Sequence, residues 1–281
     1  MKRLQGRVAA ITGAGSGIGR ALASVLAEHG CNLALSDVNE DGLSETARAL
    51  EASGVRVSTR RVDVADREAV EAWASEVERE HGAAHMIFNN AGVAVMASLR
   101  RVDYDDFHWL MNINFWGVVH GTRAFLPILA QQDEAHIVNI SSVFGIIAAP
   151  LNGTYNATKF AVRGYTEALR IELQLDGLPI GVTCVHPGGI KTNIARASRR
   201  RPADLAGGEQ ETIDQFEKTL ARTTPDACAR AIVRAVRRNA PRVLVGADAK
   251  LIDKIQRLLP TGYQKLVARV GRKNWRRPES E

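Results

Sequence analysis

Residues 8–19 read Val-Ala-Ala-Ile-Thr-Gly-Ala-Gly-Ser-Gly-Ile-Gly, a short apolar run that breaks into four glycines. A run of that length bounded by glycine reads as a buried strand. Residues 18–29 then carry apolar side chains at helical spacing and stop at Gly30, the residue type that closes a helix in the left-handed conformation. Gly13, Gly15, Gly17 and Gly19, with Ser16 and Ile18 among them, therefore form a strand–turn–helix junction. Glycines there let the backbone approach a pyrophosphate, while the helix start supplies N–H groups and a positive dipole end. The spacing is GxxxGxG and not GxGxxG, because Ile18 stands sixth from Gly13. No Lys-Ser/Thr pair follows the glycines, which excludes a Walker-type phosphate loop.

Outward from this junction the chain alternates. Further strands are predicted at 32–37, 55–62, 85–90, 136–141, 180–186 and 242–246. Helices are predicted at 40–52, 67–80, 104–130, 155–175 and 226–238. Seven strands separated by helices imply an α/β protein with a doubly wound, seven-stranded parallel sheet of Rossmann type, covered by helices on both faces. Residues 1–250 read as one domain and 251–281 as a basic C-terminal extension.

Composition narrows the class. Of 281 residues 45% are hydrophobic and 5% aromatic, enough for a core without disulfides or metal. Cys31, Cys184 and Cys228 are isolated and odd in number, so the expected setting is reducing and cytoplasmic. The apolar stretch behind Met1-Lys2-Arg3 is too short for a signal peptide, and no apolar run approaches the roughly 18 residues of a membrane span. His81 and His85 are four apart, but Gly82 lies between them and no metal is expected. The net charge of +6 resides wholly in residues 250–281, where nine Lys/Arg face three acids; residues 1–249 hold 28 of each sign.

Two side-chain placements point to chemistry. Asp37 closes the second predicted strand, 18 residues after Gly19, near the roughly 20-residue spacing of an acid that binds adenosine ribose hydroxyls. A carboxylate there repels a 2′-phosphate, and no Lys or Arg stands at 14–16 or 38–39, so NAD is expected in preference to NADP. Tyr155 and Lys159 lie one helical turn apart on one face. An ammonium beside a phenol favours phenolate, which makes the tyrosine a usable proton acceptor.

Quoted together, TGAGSGIG at 12–19, DV at 63–64, NNAG at 89–92, NINFWG at 112–117, ISS at 140–142, YNATK at 155–159 and PGGIKT at 187–192 resemble the short-chain dehydrogenase/reductase family over about residues 5–250. The resemblance implies hydride transfer between NAD(H) and a secondary alcohol or ketone, or an aldehyde and alcohol. Tyr155 would be the general acid/base, with Ser142 hydrogen-bonding the reacting oxygen; spacing to Tyr155 favours Ser142 over Ser141. Lys159 would hold the nicotinamide ribose and Asn114 a relay water. It further implies Asn90, Ala91 and Gly92 on the adenosine-ribose and pyrophosphate side, and Asp63 and Val64 at the adenine. Pro187, Gly188, Ile190 and Thr192 would approach the carboxamide, with the loop at about 193–224 closing the substrate pocket. A homodimer or homotetramer is implied as well.

The apolar stretch 143–151, together with 93–96, suggests a hydrophobic small-molecule alcohol or carbonyl as partner. Nucleic acid is not expected. Two other readings compete: a catalytically silent NAD-binding regulator or scaffold, and a basic extension that touches an anionic membrane or nucleic acid. Against the latter stands a helix packed on a subunit or over the cleft.

Overall fold

β1 (Val8–Thr12) is buried at all five positions, as a central parallel strand with helices on both faces must be. The computed structural model describes residues 1–200 and 222–272. Around β1 lie β2 (Asn32–Asp37), β3 (Val57–Arg61), β4 (Met86–Asn89), β6 (Ala135–Ile140), β7 (Ile180–Pro187) and β9 (Arg242–Val245). They form one parallel sheet in the order β3-β2-β1-β4-β6-β7-β9. The chain runs outward from β1 in one direction and returns to start again at β4. That reversal opens a crevice at the carboxyl ends of β1 and β4, the place where such sheets bind ligands.

The helices are α1 (Gly17–Glu28), α2 (Glu40–Ala49), α3 (Arg67–His81), α4 (Tyr104–Met111), α5 (Gly117–Ala130), α6 (Gly153–Leu175), α7 (Pro225–Arg237), α8 (Ala247–Leu258) and α9 (Tyr263–Gly271). On one face Leu22 and Leu26 of α1 meet Ile232 and Val236 of α7 over the sheet. On the other, Trp73 of α3 and Phe125 of α5 pack edge to face, their centroids 5.1 Å apart, beside Leu169 and Leu173 of α6. Their apolar residues recur at helical spacing, which is why these segments form helices that bury one face.

Three departures from expectation have physical causes. The predicted helix 104–130 is α4 and α5 joined by a π-helical turn at Asn112–Trp116, a local widening that side-chain periodicity does not reveal. β3 is shorter than 55–62 because it is the sheet edge, with its last residues exposed. A small parallel pair, β5 (Val95–Met96) with β8 (Arg199–Arg200), was not predicted, since two residues carry no period. α8 runs across residue 250, so helix joins the extension to the body. Of the predicted loop and extension, 201–221 and 273–281 lie outside the described residues. Among the described residues no helix is long and apolar enough to cross a membrane, and no metal-binding cluster occurs.

Candidate active site

The glycine turn is built by exclusion of side chains. Gly13 (φ +67°) and Gly17 (φ +52°) occupy the left-handed region. A Cβ on Gly13 would stand 2.8 Å from the Ala91 Cα, and one on Gly19 would fall on the Gly13 carbonyl. Ser16 precedes α1 as its N-cap residue, and Ile18 packs on the core beneath. The Asp37 carboxylate reaches the same turn: it accepts the Gly15 N–H at 2.8 Å and the Asn39 N–H at 3.0 Å. Arg20 also bends to this turn, donating to the Gly15 carbonyl at 2.6 Å and to Glu45 at 2.9 Å. It is a cation beside the turn that lies outside positions 14–16 and 38–39.

β4 closes the turn from the other side. The Asn90 amide donates to the carbonyls of Thr12 (2.9 Å) and Gly13 (3.1 Å), and the Thr12 hydroxyl accepts the Asn90 and Ala91 N–H groups. Asp63 is exposed and accepts the Ala65 N–H at 2.9 Å, a local turn contact; Val64 is buried against Gly117.

Ser142, Tyr155 and Lys159 converge where β6 ends and α6 begins. The Lys159 ammonium is buried and donates to the Ile140 carbonyl at 3.0 Å, 5.5 Å from the Tyr155 ring centroid. Burial lowers its pKa to about 8. Burial likewise pushes Tyr155 up to about 12, against a hydrogen bond with Ser142 that favours the phenolate. The two adjacent serines are told apart by their partners. Ser141 donates to the Lys159 main-chain carbonyl at 2.8 Å, whereas the Ser142 hydroxyl accepts the Phe144 N–H and meets Tyr155.

Asn114 is fully buried in the π turn and its amide is fully engaged: Oδ1 accepts the Val93 N–H at 2.8 Å, and Nδ2 donates to the Val93 carbonyl at 2.9 Å and to the Thr158 hydroxyl at 3.4 Å. Gly92 lies between Asn114 and Lys159; a Cβ there would stand 3.2 Å from the Asn114 Oδ1 and 3.6 Å from the Lys159 Nζ.

The segment after β7 completes the ring. Pro187 ends β7, Gly188 donates to the Val245 carbonyl, and Ile190 is buried and bridged to Thr223. The Thr192 methyl reaches the glycine turn, 3.1 Å from where a Gly17 Cβ would be. Two further residues hold this ring, and neither follows from the quoted motifs. Asp248, in the first turn of α8, accepts the Gly189 N–H at 2.7 Å and fills the space a Gly188 Cβ would need. His186, buried on β7, lies 2.9 Å from the Ser142 carbonyl through Nδ1, and burial lowers its pKa to about 4. The carbonyl can only accept, so Nδ1 carries the proton of the neutral ring. Beyond Thr192, Arg199 stacks on Trp109 at 3.7 Å and pairs with Asp106 at 2.7 Å, fixing β8 to α4.

The site thus joins a glycine-rich turn able to cradle a dinucleotide with a Ser–Tyr–Lys cluster in which Ser142 and Lys159 are buried and Tyr155 is half-buried. Residues 7–203 match the family described as short chain dehydrogenase. The chain belongs to the short-chain dehydrogenase/reductase family. Its relatives in that family include SadH of Mycobacterium tuberculosis, which bears an oxidoreductase name and is 48% identical over 270 residues, covering 95% of this chain and 96% of that protein. A C alpha-dehydrogenase of Sphingobium sp. is 35% identical over 247 residues, covering 85% and 80%. A short-chain dehydrogenase/reductase of Burkholderia phymatum, solved in complex with NAD, superposes with a TM-score of 0.84 at 32% identity over the whole of both chains.

Proposed function

We propose that this oxidoreductase interconverts a secondary alcohol and a ketone, or a primary alcohol and an aldehyde, with NAD(H) as redox partner and Tyr155 as general acid/base. The convergence of Ser142, Tyr155 and Lys159 beside the glycine turn carries this reading. The Burkholderia relative's complex with NAD supports the cofactor, as does the carboxylate of Asp37 on the turn. Gly13–Gly19 and Asn90–Gly92 would receive the pyrophosphate and its riboses, Asp37 the adenosine ribose, and 187–192 the carboxamide. The bound nicotinamide supplies the hydride acceptor or donor.

The chain's own groups handle the oxygen and its proton. In oxidation, Tyr155 takes the hydroxyl proton while Ser142 donates a hydrogen bond to the oxygen as it becomes a carbonyl. In reduction the same phenol gives its proton back. Lys159 holds a positive charge near the phenolate and binds ribose hydroxyls. With the Asn114 amide held by Val93, the water-holding group assigned to this residue is its main-chain carbonyl. The apolar stretch 143–151 makes a hydrophobic substrate the best match. Phe160, Ile171 and Leu175 are exposed on α6 and Trp116 at the end of the π turn, and there we place a homodimer contact, which light scattering of the purified protein reads.

Two expected results arise from the cofactor side. Asp37→Asn keeps an acceptor for the turn but removes the charge that opposes a 2′-phosphate. The ratio of kcat/KM with NADP to that with NAD is expected to rise about tenfold or more, one charge-assisted hydrogen bond being equivalent to roughly 1.5–3 kcal/mol. An unchanged ratio across a panel of alcohols sinks the Asp37 assignment. Asp248→Ala leaves the Gly189 N–H without its carboxylate. KM for NAD is expected to rise roughly tenfold with a smaller change in kcat, on the same hydrogen-bond scale. A fall in kcat alone contradicts a role in holding the 187–192 segment.

A further inference from the structure

We infer that α8 and α9 form a docking surface for an anionic lipid membrane. Five large apolar side chains of this region stand open to solvent: Leu251, Leu258, Leu259, Leu266 and Val270, between 47% and 80% exposed. On α8, Leu251, Ile255 and Leu258 recur at helical spacing, and Lys250, Lys254 and Arg257 form the neighbouring stripe one residue behind. On α9, Leu266 and Val270 make the apolar stripe and Lys265 and Arg269 the basic one. The remaining faces, through Ala249 and Asp253 on α8 and Tyr263 on α9, are buried against the body. Each helix therefore presents the same cross-section, an apolar shoulder set between its buried face and a row of cations.

Charge complementarity selects the occupant. Aliphatic side chains that enter the headgroup boundary while long basic side chains extend to lipid phosphates account for both stripes at once. All of the chain's net charge of +6 belongs to the segment from Lys250 onward. A second copy fits poorly: a two-fold interface sets the same patch against itself, and here that brings the cation rows together. A nucleic acid would use the cations but leave the leucines without a partner. The helices also border the active site, since Tyr263 accepts the Ala148 N–H at 3.2 Å and α8 packs on Val143–Gly145. Lipid docking would accordingly bring the apolar 143–151 wall close to the bilayer. The inference does not depend on the reaction, because binding is read without turnover.

The full chain is to be sedimented with vesicles of phosphatidylcholine and with vesicles of equal phosphatidylcholine and phosphatidylglycerol. Binding to the anionic vesicles alone, weakening as salt shortens the screening length, is the expected result. The triple variants L258E/L266E/V270E and K254E/K265E/R269E are each expected to lower vesicle partitioning about tenfold or more. Their melting temperatures and alcohol oxidation, followed without lipid, should match the parent and so separate lost docking from lost folding. Absence of binding to anionic vesicles, or equal binding to phosphatidylcholine alone, overturns the inference. So does a parent chain that ignores vesicles but halves in mass when L258E/L266E/V270E is introduced, which assigns the face to a second copy. Salt-sensitive retention on duplex DNA without vesicle binding assigns it to nucleic acid.

Discussion

Replacing Tyr155 with Phe is expected to lower turnover roughly 10²- to 10⁴-fold, the range general acid–base catalysis supplies, while NAD affinity stays within a factor of about two. The substitution deletes one oxygen from a residue whose ring is already held. Phe144 meets that ring edge to face at 6.2 Å, and Leu110 lies in the same apolar cluster. The ring's packing therefore survives, and the change is confined to proton transfer. The pH profile supplies a second reading. Oxidation requires the base form of the phenol, so its rate should climb through the alkaline range as the Tyr155–Lys159 pair loses a proton; reduction requires the acid form and should fall over the same range. Burial, outweighing the Ser142 hydrogen bond, sets Tyr155 high, at about 12, and burial sets Lys159 low, at about 8. A positive charge arriving with the oxidised cofactor lowers the phenol, so the oxidation midpoint should lie below 12. Substantial turnover by Tyr155→Phe, or an alkaline limb that survives it, removes Tyr155 from the proton-transfer role.

The parts of this arrangement that were legible in sequence are those fixed by local chemistry. β1 and the turn could be read because burial forces an apolar run and close backbone approach forces glycine, as the Ala91 contact at Gly13 illustrates. Tyr155 and Lys159 could be paired because helical spacing brings them to one face. Ser141 and Ser142 could not be distinguished by chemistry alone, since which hydroxyl meets the phenol depends on how β6 ends over α6. Asp248 is a different kind of omission. It lies in a first-turn position where acids commonly favour a helix start, and its contact with Gly189 spans 59 residues. Arg20 is similar: its partners on α2 are more than twenty residues away. Asn114 was singled out only through the resemblance, and the π turn that turns its amide to Val93 has no period to detect.

Lys159→Met is expected to abolish most activity without loosening the fold. Activity should drop by roughly 10²- to 10⁴-fold, because ribose binding and the charge beside the phenol disappear together. Stability follows a different sign. Burial takes the Lys159 pKa from 10.5 to about 8, so the folded chain binds this proton more weakly than the unfolded one. Between about pH 8 and 10.5 the unfolded state holds more protons, and stability gained by deprotonating Lys159 rises with pH; below 8 the charged group costs the folded state about 3 kcal/mol. Methionine, similar in length and uncharged, removes that cost. It also leaves the Ile140 carbonyl without its 3.0 Å donor, a loss of roughly 1–3 kcal/mol. The two terms nearly cancel at pH 7, and guanidinium unfolding without cofactor should place the variant within about 2 kcal/mol of the parent. From pH 7 to 9.5 the parent should gain stability relative to the variant, Tyr155 being present in both. A variant that unfolds far more easily at pH 7, or a parent and variant with the same pH slope, would mean that Lys159 supports the fold and is not held charged against its burial.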